Sequence, residues 1–168
     1  MSKRLVSILI ALMAAALVGC DGAQNVLKDP RDGKTYKTVK IGSQIWMAEN
    51  LNYEIADSYC YNNDTSNCKK YGRLYTRDVA LKVCPAGWLL PSKEEFDILI
   101  KTVGGEKIAG EKLKSKSGWN DGGNGSDAFG FSALPAGVWF DGGRWSCRPW
   151  RWRRKSCSSW RPVGPRAR

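Results

Sequence analysis

The chain has 168 residues, a length that suits one domain plus a targeting segment, and its 18 Gly and 8 Trp describe a loop-rich globular α+β domain rather than a helical bundle. It contains no histidine, which excludes Ser-His-Asp triads, Cys-His pairs and zinc hydrolases of the HExxH type. The formal net charge of +11 is unevenly placed: residues 1–140 carry 18 basic and 15 acidic side chains, whereas residues 141–168 carry 9 basic and 1 acidic, so the basicity belongs to the carboxyl-terminal segment.

Lys3-Arg4 precede an uncharged apolar run over residues 5–18. A helix of that length falls short of the roughly 20 residues a bilayer requires, and the run has the shape of a signal-peptide core. It closes with Leu17-Val18-Gly19-Cys20, which resembles the bacterial lipobox, where the thiol is diacylated and the chain is cut before the cysteine. The expectation is a signal peptide over residues 1–19, a lipid on Cys20 that holds the protein on a membrane, and a tether over residues 20–29. An ordinary signal peptide, or a membrane anchor with an incidental Cys20, is the alternative. The expected address is the outer membrane or cell surface. Asp21 resembles an inner-membrane retention signal and keeps that membrane open.

Export also determines the cysteine chemistry. With Cys20 acylated, Cys60, Cys68, Cys84, Cys147 and Cys157 remain, and in an oxidising compartment they are read first as disulfides. Cys60 and Cys68 flank the loop Tyr-Asn-Asn-Asp-Thr-Ser-Asn, which predicts a local bridge. The odd count leaves at least one cysteine without an intramolecular partner.

In chain order, Asp32-Gly33 is a turn signal and residues 34–41 read as a strand with Val39 and Ile41 on one face. Gly42-Ser43 closes a hairpin with Gln44-Ile45-Trp46-Met47 as the return strand. Residues 70–75 read as a further strand and residues 76–82 as a short helix. After Cys84 comes the best-marked helix of the chain. Ser92 and Glu95 have capping-box spacing, Pro91 restricts the residue before it, and Phe96, Leu99, Ile100 and Val103 form one apolar stripe. Gly104-Gly105 stops it. A Gly/Asn-rich excursion follows over residues 115–130.

Several of these strings resemble, in order, the Fibrobacter succinogenes major paralogous domain. They are Asp32-Gly-Lys-Thr-Tyr-Lys-Thr-Val-Lys-Ile-Gly-Ser-Gln-Ile-Trp-Met-Ala-Glu-Asn-Leu51, Tyr71-Gly-Arg-Leu-Tyr-Thr76, Cys84-Pro-Ala-Gly-Trp88 and Leu90-Pro-Ser-Lys-Glu-Glu-Phe96, where the family usually has Trp in place of Phe96. Lys112-Leu-Lys-Ser-Lys-Ser-Gly-Trp119 and Gly130-Phe-Ser-Ala-Leu-Pro-Ala-Gly137 complete the resemblance, which covers residues 30–137. It implies an exported lipoprotein with a C-type-lectin-like α+β fold: an N-terminal β-hairpin, two short helices and many loops. It also implies a partner for Cys84 nearer the carboxyl end, and no general catalytic activity.

Candidate sites are few. Trp119-Asn120-Asp121 has the letters of a lectin calcium triplet, but the partner tripeptides are absent and calcium needs several more oxygens. Asp121, Asn124 and Asp127 lack the spacing and closing Glu of an EF-hand loop and read as turn residues. Neither is assigned a metal, and no cofactor or catalytic residue is assigned. Cys84 reads as a disulfide candidate with Cys60 and Cys68, since a reactive thiol needs a stabilised thiolate. Trp46 and Trp88 sit in apolar strings and read as core. Tyr59, Tyr61 and Trp119, in polar loops, are the candidate ligand-facing aromatics for carbohydrate.

Residues 141–168 depart from what precedes them, with 8 Arg to 1 Lys and Trp145, Trp150, Trp152 and Trp160 interleaved. One reading is a frameshifted or degenerate end, leaving a domain over residues 30–140 whose C-terminal strands are missing. The rival reading is an Arg/Trp segment that binds an anionic surface; prolines 149, 162 and 165 break any helix there. The function expected is a lipid-anchored, non-enzymatic binding or adhesion module of the cell envelope, for polysaccharide or another anionic surface and not for nucleic acid. The alternatives are a structural envelope lipoprotein without a ligand and a relative of formylglycine-generating enzymes.

Overall fold

The computed structural model describes residues 26–140 and 144–146. The expected signal segment, Cys20, Cys147, Cys157 and most of the Arg/Trp-rich segment lie outside them. The elements are β1 Val26–Lys28, β2 Thr35–Ile41, β3 Gln44–Met47, β4 Ser58–Tyr59, a 3-10 turn Tyr61–Asn63 and α1 Thr65–Tyr71. They continue with β5 Leu74–Tyr75, α2 Arg77–Ala80, α3 Lys93–Thr102, α4 Glu106–Leu113, β6 Val138–Phe140 and β7 Arg144–Ser146. The α+β class holds. Among the described residues four helices stand where two were expected, and Val26–Lys28, expected to lie within a tether, pairs antiparallel with β2 as a strand.

The predicted hairpin forms with Val39 opposite Trp46 and Ile41 opposite Gln44. Its burial is diagonal. Alternation along a strand sends successive side chains to opposite faces, so Ile41 and Trp46 point one way and Tyr36 and Met47 the other. The first pair lies in a core with Phe96, Leu99, Val103, Ala109, Leu113 and Phe131. The second lies in a separate core with Leu51, Tyr75 and Val83. Trp46 and Met47, adjacent in the chain, are both completely buried, each in a different core. The remaining half of each sheet face carries exposed residues, including Lys28, Thr35 and Lys37 on one and Lys40 on the other.

The first core depends on α3. Ser92 Oγ accepts from the Glu95 amide at 3.3 Å while Glu95 Oε2 accepts from the Ser92 amide at 2.7 Å, a complete capping box. That start aims Phe96 edge-on at Trp46, with ring centroids 5.5 Å apart, and Phe131 closes in at 5.9 Å. Gly104 and Gly105, at φ 110° and 95°, turn the chain directly into α4. In the sequence, α4 is hard to see because it is short and contains Gly110, a weak helix former.

The excursion over residues 115–130 is not an open loop. Its backbone amides return to the end of α4: Ser126 N donates to Glu111 O at 2.8 Å and Ala128 N to Lys112 O at 2.9 Å. Ala133 N donates to Leu113 O at 2.9 Å. These donors satisfy carbonyls that a helix end leaves without intrahelical partners.

Two further differences have local causes. The strand expected over residues 70–75 is only Leu74–Tyr75, because Asp64 caps a helix by accepting from Ser66 N at 2.8 Å and that helix runs to Tyr71. The C-terminal strands expected to be missing are in part present. β6 and β7 pair with Trp139 opposite Trp145, in register on either side of the turn letters Asp141-Gly142-Gly143. Aromatic and β-branched residues there favour a pleated pair.

Candidate functional site

The cysteines at 60 and 68 are bridged, with Cα atoms 4.9 Å apart and both side chains buried. The bridge ties the turn that follows β4 to the middle of α1. Asn62 and Asn63 adopt left-handed φ of 55° and 57°, and Asn67 Nδ2 donates to Tyr61 O at 2.9 Å. The knob is also fastened to the domain. Asn50 Nδ2 donates to Tyr71 O at 2.8 Å, Arg73 N to Leu51 O at 3.0 Å, and β4 pairs with β5 through Tyr59 and Leu74. Tyr59 and Tyr61 stand half-buried on this knob. Tyr71, read as strand in the sequence, joins them as a third half-buried tyrosine, with Lys70 Nζ 4.9 Å from its ring centre.

Trp119 is not brought to the tyrosines. Its indole N–H is shared between Ser115 Oγ at 3.0 Å and Ala133 O at 3.2 Å, and Lys114 Nζ lies 5.0 Å from the ring centre. Its own amide donates to Asn124 Oδ1 at 3.0 Å. Trp119 thus frames the excursion beside the first core, while the tyrosine knob adjoins the second. In the Asp121, Asn124 and Asp127 set, the side-chain oxygens of Asn124 and Asp127 are spent in the same way. Asn124 serves Trp119, and Asp127 accepts from Ser132 N at 2.7 Å and Ser132 Oγ at 2.6 Å. Those bonds make turns.

Among the described residues Cys84 carries a free, half-buried thiol. Burial pushes that thiol up to about 11, against a smaller opposing pull from Arg31. At neutral pH it is therefore protonated and a poor nucleophile.

Sequence reasoning missed one polar cluster. Asp29 is completely buried, and Arg31 meets it with a fork, Nε to Oδ1 at 2.9 Å and Nη2 to Oδ2 at 2.6 Å. The third arm of the guanidinium donates to Val83 O at 2.8 Å, and the group lies 3.9 Å over the Tyr53 ring. The Arg31 hydrogen bonds hold the Asp29 carboxyl below its usual range, burial opposing them. The spacing Asp-x-Arg in the sequence gives no sign of it, because Val83 and Tyr53 come from distant segments. The cluster fastens the start of the domain to the turn before Cys84 and offers no open side for a substrate, since both carboxylate oxygens are taken.

The model of the Fibrobacter succinogenes major domain matches residues 39–162. The matched stretch continues past Gly137 into the Arg/Trp-rich segment. Comparisons with curated proteins and with solved structures found no match. A match over most of the length identifies the chain as a member of the Fibrobacter succinogenes major domain family.

Proposed function

We propose that the chain is a lipid-anchored protein of the bacterial cell envelope whose domain is a non-catalytic binding or adhesion module with a C-type-lectin-like fold, and that its ligand is carbohydrate. The observation that carries this reading is the disulfide-bound knob with Tyr59 and Tyr61 half-exposed on it. Tyrosine combines an apolar ring with a polar tip, and a ligand that meets pre-ordered rings loses less entropy on binding. A native disulfide also suits an oxidising compartment, which supports export. The protonated state of the Cys84 thiol supports a module without cysteine chemistry.

Glycan-array binding of the full chain tests the proposal. A positive polysaccharide should weaken by about two- to tenfold in Tyr59→Ala or Tyr61→Ala, the loss of one aromatic contact. Binding to no polysaccharide would refute the carbohydrate reading and leave a structural envelope role.

A further inference from the structure

We infer that the exposed half of one face of the β1–β2 sheet, formed by Val26, Lys28, Thr35 and Lys37, docks on the anionic lipid headgroups of the membrane that carries the protein. The inference rests on the reading of Cys20 as the lipid-bearing residue, and it concerns how the domain sits on its anchor.

The register puts these four side chains on one surface. Val26 lies opposite Lys37 and Lys28 opposite Thr35, and alternation directs all four to the same side. All are exposed, Val26 to 49%. They occupy the half of that face which the first core leaves uncovered.

The chain length supplies the occupant. Only five residues, 21–25, separate Cys20 from the start of β1. Even fully extended they reach at most about 20 Å, so this edge of the domain is the part that the lipid keeps closest to the bilayer. An anchored surface meets its membrane at high effective concentration, and a modest attraction is then enough to hold one orientation.

The charges agree in sign. The face presents two lysines. Among the nearby charges, Lys34 pairs with Asp32 at 2.9 Å and donates to Asn52 O, while Glu49, which accepts from the neutral Lys37 amide at 2.7 Å, keeps its negative charge beside the face. Arg31 is committed to Asp29. Asp21, between Cys20 and Val26, is a second opposing charge. Each lysine near an anionic leaflet shifts the docked population about fivefold, so the pair supplies about thirtyfold before the opposing Glu49 and Asp21 are set against it. The thirtyfold is a property of this face alone and does not involve the Arg/Trp-rich segment at the other end of the chain.

Amine footprinting of the full lipid-bearing chain tests the inference residue by residue. The protein is placed on vesicles of phosphatidylcholine alone and of phosphatidylcholine mixed with phosphatidylglycerol, and acylation of each lysine is followed by peptide mass. Lys28 and Lys37 should react about tenfold more slowly on the anionic vesicles, with the protection lost in high salt. Lys40, on the opposite face of β2, and Lys107, on α4, should react equally on both. Equal rates for Lys28 and Lys37 on the two vesicle types, with the lipid in place, overturn the inference. The mass of the peptide bearing Cys20 is read in the same experiment. An unmodified Cys20 overturns the anchor itself, so the two failures are told apart.

Discussion

Gly125→Ala examines how the excursion is held. A Cβ at this position would lie 2.4 Å from both Glu111 O and Lys114 O, and 2.8 Å from Lys114 Cβ. The neighbours are backbone atoms, which cannot rotate away, and Gly125 does not occupy the left-handed region, so the constraint is steric. The segment must lift from α4. Three hydrogen bonds are then lost: Gly125 N to Ser115 O at 2.9 Å, Ser126 N to Glu111 O at 2.8 Å, and Ala128 N to Lys112 O at 2.9 Å. At about 1 kcal/mol net each, the substitution costs about 3 kcal/mol. For a domain of this size that lowers Tm by roughly 12 °C. Gly87→Ala is the comparison, because Gly87 has open space around it and a φ of 81°. It should cost only the left-handed penalty of about 1–2 kcal/mol. Both variants would be followed by thermal unfolding with near-ultraviolet circular dichroism. A Gly125→Ala protein that melts with the wild type, or above Gly87→Ala, would refute the argument that the loop is clamped by its backbone.

Arg31→Ala leaves the fully buried Asp29 carboxylate without its fork and should destabilise by about 3 kcal/mol in urea unfolding. Because Arg31 lowers the folded pKa of Asp29, the pair's contribution is present above the ordinary carboxylate pKa of about 3.9 and is lost as pH falls through the depressed folded value; acid unfolding should therefore begin at higher pH in Arg31→Ala than in the wild type, and coincident acid transitions would contradict this. Replacing both Cys60 and Cys68 by serine opens a short loop and should cost about 2.5 kcal/mol on the chain-entropy model, read from the urea midpoint. The Cys84 thiol should alkylate slowly at pH 8 and accelerate as pH rises towards 11, followed by peptide mass; fast labelling at neutral pH would show a thiolate that burial does not permit.

Local chemistry was legible in the residues themselves. The Gly42-Ser43 hairpin, the Ser92–Glu95 capping box, the Phe96-to-Val103 stripe and the Cys60–Cys68 bridge each depend on residues close in the chain, so spacing alone places them. The family, too, could be read from ordered strings. What spacing could not convey was the partner of each surface. The alternation in β2 and β3 marks two faces, but only packing decides that both are buried, at opposite ends, with Trp46 and Met47 in separate cores. The same limit applies to the polar groups. Asp29 and Arg31 look like solvated surface charges until Val83 and Tyr53 arrive from distant segments, and Trp119 looks like a free loop aromatic until Ser115 and Ala133 take its indole N–H. The Gly/Asn run over residues 115–130 reads as a long excursion, yet its glycine at 125 is where two backbones come too close for any side chain. Hydrogen-bond spacing and side-chain periodicity are written along the chain; which carbonyl, ring or carboxylate waits on the other side is decided only when the chain has folded.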